Sequence, residues 1–465
     1  MQLRKYIISF LFLGGMFSFS GCDGIFRDVP NDKLSQESIW GSQLLLDEYV
    51  LPWYRNMSNG FSVYMPATAL LKGASRDYLP WYGDQITVSK SDWYNTAYGD
   101  ILKSTPAEVT RRGLINWTNY YTRIQSINLL FENQDKIRNG DHKKRVLGEA
   151  HFFRAYYYYM LLRQFGGVLL LKNNYDPLHD GTKFPRASYE EMVNFIAEEA
   201  DLAASLLSEE LSPRDIGRAT RGAALMLKAK TYFWAASKIY QNQEKSYLGF
   251  PDDRSDAMLT AAAKAYDELM KLPYSLIQIT GSTQDQIKEQ YRQIFLTKNS
   301  QESIWEVQHS NDGDFSNGFG HKLDRESVSP YYGGTVAAYS PTQNHVDEYG
   351  MRDGKAYDAK HPYDNRDYRF YANVLYDGCT FRGRVMEIHY NKVNGKEVAG
   401  EDLTPYGTSE TAAVTKTGYY LGKFVDETQK IDNDESYASK QNYIIWRYAE
   451  VLLDYAEIDF LQNRV

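Results

Sequence analysis

Gly148 to Leu171 reads GEAHFFRAYYYYMLLRQFGGVLLL, and its spacing decides what kind of fold the chain builds. From about Lys144 to Phe165 the residues Val146, Ala150, Phe153, Tyr157 and Leu161 recur at steps of four and three, one face of an α-helix. Trp117, Tyr121, Ile124, Ile127 and Phe131 do the same between Asn116 and Lys136. The period predicts further helices at Tyr189–Leu207, Ala219–Tyr240, Asp256–Lys271 and Tyr443–Gln462. Short breaks such as Asn139-Gly140-Asp141 separate helices, and short connections give antiparallel pairs.

The same stretch returns faintly downstream. Gly148, Ala150, Arg154, Ala155 and Tyr158 match Gly222, Ala224, Lys228, Ala229 and Tyr232 at a constant offset of 74. Half of that offset is near the 34-residue period of tetratricopeptide helix pairs. The expected class is mainly α: a tetratricopeptide-like scaffold of helix pairs with long irregular loops and few short strands. Residues 58–100 and 305–440 are the loops, rich in Gly, Pro, Asn, Asp and aromatics, with strand-like runs at Ser303–Gln308 and Tyr371–Tyr376.

The N-terminus has a different physical logic. Arg4 and Lys5 precede an uncharged, mostly apolar run from Tyr6 to Phe19, then the small residues Ser20 and Gly21 before Cys22. That is the layout of an export signal, and the run is shorter than the roughly 20 residues a membrane span needs. Phe19-Ser20-Gly21-Cys22 resembles the bacterial lipobox, with Phe19 where Leu is usual. Residues 1–21 are therefore expected to be a signal peptide, and Cys22 the lipidated first residue of a chain anchored to a membrane. Loss of Arg4 and Lys5 takes the formal charge from −8 to −10, which disfavours nucleic acid as a partner. Cys379 would be the one remaining thiol, expected as a small buried apolar residue.

Aromatic residues make up 15% of the chain, with 39 Tyr and 8 Trp. Flat apolar faces with polar rims suit sugar rings, protein contacts and large helical cores alike. No H-E-x-x-H, G-x-S-x-G or phosphate-binding glycine loop is present, so no catalytic residue, metal site or cofactor is expected. The best binding cluster is Arg76-Asp77-Tyr78-Leu79-Pro80-Trp81-Tyr82-Gly83-Asp84 with Trp93 and Tyr94. There Trp81, Tyr82 or Trp93 would stack on a sugar, and Arg76 and Asp77 would hydrogen-bond its hydroxyls. The plainer alternative is rings that pack the loop against the scaffold. A second cluster is Tyr331, Tyr332 and Tyr339 in a Gly-rich stretch. Arg447 and Glu450 are expected to form a local ion pair, Asp432-Asn433-Asp434-Glu435 a solvated turn rather than a calcium loop, and His142-Lys143-Lys144-Arg145 a wet helix start.

Five stretches carry a family resemblance: the quoted helix with its FGGV turn; PTQNHVDEYGMRDGK from Pro341; RDYRFYANVLYDG from Arg366; NYIIWRYAEVLLDYAE from Asn442; and CDGIFRDVPNDKLSQESIW from Cys22. The chain resembles the SusD/RagB family of nutrient-binding outer-membrane lipoproteins from Bacteroidetes, with Leu169 where that family usually has Pro. The resemblance implies a helical scaffold with a loop-built face that captures glycans at the cell surface for a SusC-like TonB-dependent transporter. Some members take peptides instead. A surface glycoside hydrolase and a structural lid or adhesin are the readings from other classes. The family normally continues beyond the last quoted helix, so the expectation is one SusD-like domain over 22–465 lacking the family's C-terminal end.

Overall fold

Four consecutive tyrosines, Tyr156 to Tyr159, advance around a helix in steps of about 100°, so they point four ways. In the computed structural model, which describes residues 36–55, 57, 86–87, 117–175, 184–310, 320–334, 337, 340–405, 414–429, 431 and 439–464, each finds a different neighbour. Tyr156 packs edge-on against Trp305 and Trp446. Tyr157 donates to the Trp53 carbonyl at 2.6 Å. Tyr158 exchanges two hydrogen bonds with the Leu171 backbone, and Tyr159 lies beneath the Arg163 guanidinium. The helix Asp141–Phe165 is buried without interruption from Phe152 to Leu162. A helix apolar on all sides belongs in the middle of a structure. Here it runs among the helices Gln43–Tyr54, Trp117–Glu132 and Tyr189–Leu206 and the strand Ser303–Val307.

Its two charged core residues are each satisfied. Glu149 accepts from the Tyr54 hydroxyl (2.7 Å), Arg145 (3.0 Å) and Arg218 (2.9 Å). Arg154 grips Glu199 with two bonds of 2.8 and 2.7 Å, donates to Asn128 and the Lys172 carbonyl, and lies on the Phe131 ring.

The scaffold continues as Arg221–Ala235 and Ser255–Met270, stacked on the preceding helices. The repeat is real in three dimensions. Gly148 sits against Leu207, just past the next helix, and Gly222 against Tyr274, just past its own next helix. Arg154 and Lys228 both pair with carboxylates of the Tyr189–Leu206 helix, Glu199 and Asp201. One helix pair with its connections fills the 74-residue offset, where a 34-residue unit would have placed two.

The FGGV turn closes the first pair. A Cβ on Gly167 would stand 1.9 Å from the Ala187 carbonyl oxygen, and Gly166 turns at φ 69° against the Tyr247 carbonyl. Backbone cannot yield as a side-chain tip can. Gly167→Ala is therefore expected to cost about 1–3 kcal/mol, read as a lower midpoint in thermal unfolding monitored by circular dichroism.

Three expectations are corrected. Tyr443–Arg447 is a strand, antiparallel to Ser303–Val307, and the helix starts only at Tyr448. The run Tyr-Ile-Ile-Trp is β-branched and aromatic, and it sets Trp446 opposite Trp305. Tyr371 lies in a short helix, Tyr368–Asn373, begun by the Asp367 side chain, with the strand Val374–Leu375 after it. Arg447 and Glu450 do not pair with each other: Arg447 reaches Glu302 at 2.5 Å and Glu450 reaches Lys230 at 2.6 Å. The helix Gln284–Leu296 was not anticipated, although Thr283 and Gln286 form a capping box at its start.

Beyond the scaffold lies a second, smaller core of Val328, Leu375, Phe381, Met386, Ile388, Tyr420 and Val425. It is threaded by two-stranded antiparallel ladders rather than one large sheet. Gln284–Leu296 packs against the second core: Phe295 meets Phe424, and Arg292 donates to the Val425 carbonyl. Among the described residues no helix is long and apolar enough to cross a membrane.

Candidate functional site

Pro330 opens a one-turn 3-10 helix, Pro330–Tyr332, after Ser329. Fixed φ at proline suits a first helical position, and Gly333 in the left-handed region ends the turn. The result presents two rings at 5.0 Å, nearly perpendicular. Tyr332 turns inward, its hydroxyl donating to the Phe381 carbonyl at 3.0 Å and its ring meeting Phe381 edge-on. Burial pushes the Tyr332 hydroxyl pKa up. Tyr331 turns outward and is 46% exposed.

A hairpin brings charge to these rings. Thr380–Phe381 pairs with Arg384–Val385 across a two-residue turn in which Arg382 (φ 48°) and Gly383 (φ 79°) both have positive φ. That is the turn whose twist matches paired strands. The Arg384 guanidinium lies 4.1 Å from the centre of Tyr331 and 5.4 Å from that of Tyr332. Arg382 lies 5.2 Å from Phe381 and 5.9 Å from Tyr332. Cations over aromatic faces are attracted by the ring quadrupole.

Asp402 anchors the group from below. It is 0% exposed and accepts from the Ser329 hydroxyl at 2.5 Å, the Glu387 amide at 2.8 Å, and Arg384. Burial alone would depress the Arg384 pKa, but the hydrogen bond and charge of Asp402 prevail and raise it. The site is thus a half-exposed tyrosine backed by a fixed guanidinium: a flat surface with donors at its edge.

Tyr331 and Tyr332 are the expected residues that the structure places together. Arg76, Asp77, Trp81, Tyr82, Trp93 and Tyr94 lie outside the described residues, as do Tyr339, Cys22 and the run 432–435. The strand Ile86–Thr87, which falls between Tyr82 and Trp93 in sequence, is described. It pairs antiparallel with Ser340–Pro341, eight residues past Tyr332. Sequence reading missed Arg384, Arg382 and Asp402. The run Phe381-Arg382-Gly383-Arg384 carried a usable signal, a two-residue turn flanked by arginine, but nothing local to it points to Asp402.

Other features are chemically quieter. Clefts of about 420 and 670 Å³ indent the helical scaffold, away from the tyrosines. Their charged groups are largely occupied: Glu191 by the Ser188 cap, Arg186 by the Phe165 and Gly167 carbonyls, Arg221 by Glu209. Cys379 is part-buried and burial pushes its thiol up to about 11, far from a reactive thiolate. Among the described residues no three His, Cys, Asp or Glu side chains gather as a metal site.

A helical scaffold with only short strands matches the SusD-like fold. The chain matches the SusD family over residues 301–460, and over residues 28–233 the family described as starch-binding associating with outer membrane. It belongs to the SusD/RagB family. A SusD-like protein from Bacteroides fragilis has the same fold at 23% identity and TM-score 0.67, over 93% of this chain and 77% of that one. A SusD-like carbohydrate binding protein from the same species aligns at 19% identity and TM-score 0.65, over 92% and 75%. Surface glycan-binding protein A from Bacteroides thetaiotaomicron, in complex with laminarihexaose, aligns at 16% identity and TM-score 0.56, over 89% and 78%. No curated protein matches.

Proposed function

We propose that this protein binds an oligosaccharide at the cell surface and passes it, chemically unchanged, to a SusC-like TonB-dependent transporter. Its body would be held at the outer membrane by acyl chains on Cys22. Two or more chains on one residue anchor firmly where a single chain does not. The observation that carries the reading is the ladder between Ile86–Thr87 and Ser340–Pro341. It joins a segment whose sequence neighbours include Trp81 and Trp93 to one eight residues past Tyr332, and on that support we read the two aromatic clusters as one binding face. A sugar chain is long, flat-faced and rimmed by hydroxyls, and it suits several rings with donors beside them. The laminarihexaose complex of one structural relative supports the same ligand class. Transfer to a transporter favours moderate affinity, since a tightly held glycan leaves slowly.

Calorimetric titration against a panel of glycans and peptides tests this. Heat is expected from at least one oligosaccharide and from no peptide. Trp81→Ala combined with Trp93→Ala should remove most of it, and Tyr331→Ala should weaken binding by roughly tenfold, since one stacked ring is worth about 1–2 kcal/mol. Peptide binding alone, or sugar products released by the pure protein, would overturn the proposal.

A further inference from the structure

Resting on the glycan reading above, we infer that the ligand carries a carboxylate, as uronic acid sugars do, and that Arg384 is the group that reads it. A neutral sugar asks only for rings and hydrogen-bonding edges. Here the exposed ring is backed by a guanidinium 4.1 Å away, while a second guanidinium, Arg382, lies 5.9 Å from the inward ring of Tyr332. Arg384 is also fixed in place. One terminal nitrogen is bound by fully buried Asp402, whose other bonds, from Ser329 and Glu387, keep that carboxylate from following a ligand. The other, Nη1, donates to the Val385 carbonyl at 3.0 Å in an exposed setting, and the guanidinium also meets the Tyr332 hydroxyl, so its exposed edge is held in place for a ligand carboxylate.

Arg382 holds φ 48° in a tight turn where Asn or Gly is the usual occupant, its amide donating to Glu427 and its guanidinium to the Asp426 carbonyl at 3.0 Å, so it serves the hairpin and leaves Arg384 as the group that faces a ligand. The chain as a whole carries a formal charge of −8. Arg384 is paired with Asp402, so what it offers a ligand anion is a fixed, partly exposed guanidinium edge beside Tyr331 rather than an excess of local charge. A planar guanidinium matches a planar carboxylate.

The test compares oligomers of galacturonate, glucuronate and mannuronate with their carboxyl-reduced, neutral counterparts, which keep the same linkages. At least one acid form is expected to bind roughly tenfold or more tightly than its reduced partner, the scale of one charge-assisted hydrogen bond. That ratio should shrink with added salt. Arg384→Gln should bring it to about one, and Arg384→Lys should leave an intermediate value. The wild-type ratio and its salt dependence stand even if a variant misfolds. Equal binding of acid and reduced forms, or a ratio untouched by both substitutions, would overturn the inference while leaving glycan binding intact. Binding of neutral laminarin oligomers alone would do the same. No binding by any glycan, including capture of carboxylate-bearing peptides only, would remove both readings together.

Discussion

Arg154→Ala is expected to lose about 3–5 kcal/mol of folding stability, the cost of breaking a buried ion pair from one side. Arg154 and Glu199 are both buried, and the guanidinium also serves Asn128 and the Lys172 carbonyl. Without it Glu199 keeps His151 at 2.9 Å but loses both of its arginine bonds. Urea unfolding should show an earlier midpoint at unchanged slope. Arg154→Met with Glu199→Met should recover much of the loss, because neither charge is then stranded. A double variant no more stable than Arg154→Ala would show that the pair is not the unit that matters. The wild type should also respond to acid. Burial alone would raise the Glu199 pKa, but hydrogen bonds from His151 and Arg154, with their charges, hold it below its ordinary 4.5. A carboxyl lowered on folding adds stability that is full above its unfolded value and drains away as pH falls through its folded one. Unfolding free energy should therefore fall steadily below about pH 4.5, and this part of the fall should be absent in the double variant.

What was legible in the sequence depended on how locally each feature is determined. The Asp141–Phe165 helix could be read because a 3.6-residue period and an all-round apolar run coincide within one segment. Tyr331 and Tyr332 stood out because proline and glycine mark a turn around large rings. The final helix was overextended because Tyr443-Ile-Ile-Trp446 is apolar at either period. Its strand partner at Ser303–Val307 lies some 140 residues earlier, where local spacing has no reach. Arg447 and Glu450 failed for a related reason: a surface pair one turn apart is worth only a few tenths of a kcal/mol. Part-buried long-range partners, Glu302 and Lys230, outcompete it. Arg384 escaped notice because its meaning comes from Asp402, eighteen residues later, and Tyr331, fifty-three earlier.

Asp402→Ala should separate the site from the scaffold. The carboxylate ties three chain segments together: the turn before Tyr331 through Ser329, the hairpin through Arg384, and the strand exit through Glu387. Removing it leaves a buried hydroxyl without an acceptor, at about 1–3 kcal/mol, and a part-buried amide that costs less. Arg384 is a quarter exposed and can turn to water, so its contribution is smaller. A net loss of about 2–4 kcal/mol is expected, confined to the smaller core, since none of these contacts reaches the helix pairs. Hydrogen exchange should therefore quicken for amides around Phe381, Met386 and Tyr420 while the Asp141–Phe165 helix keeps its protection. Glycan binding should weaken by roughly tenfold and lose its preference for acid sugars, because Tyr331 and Arg384 lose their common support. Asp402→Asn distinguishes support from charge. The amide oxygen can still accept from Ser329 or Glu387, so stability should largely return, yet a neutral group no longer holds the guanidinium over the ring. Binding should then remain weak in a folded protein. Full binding by Asp402→Asn would mean that Arg384 needs no anion beneath it, and the role given to this pair would have to be abandoned.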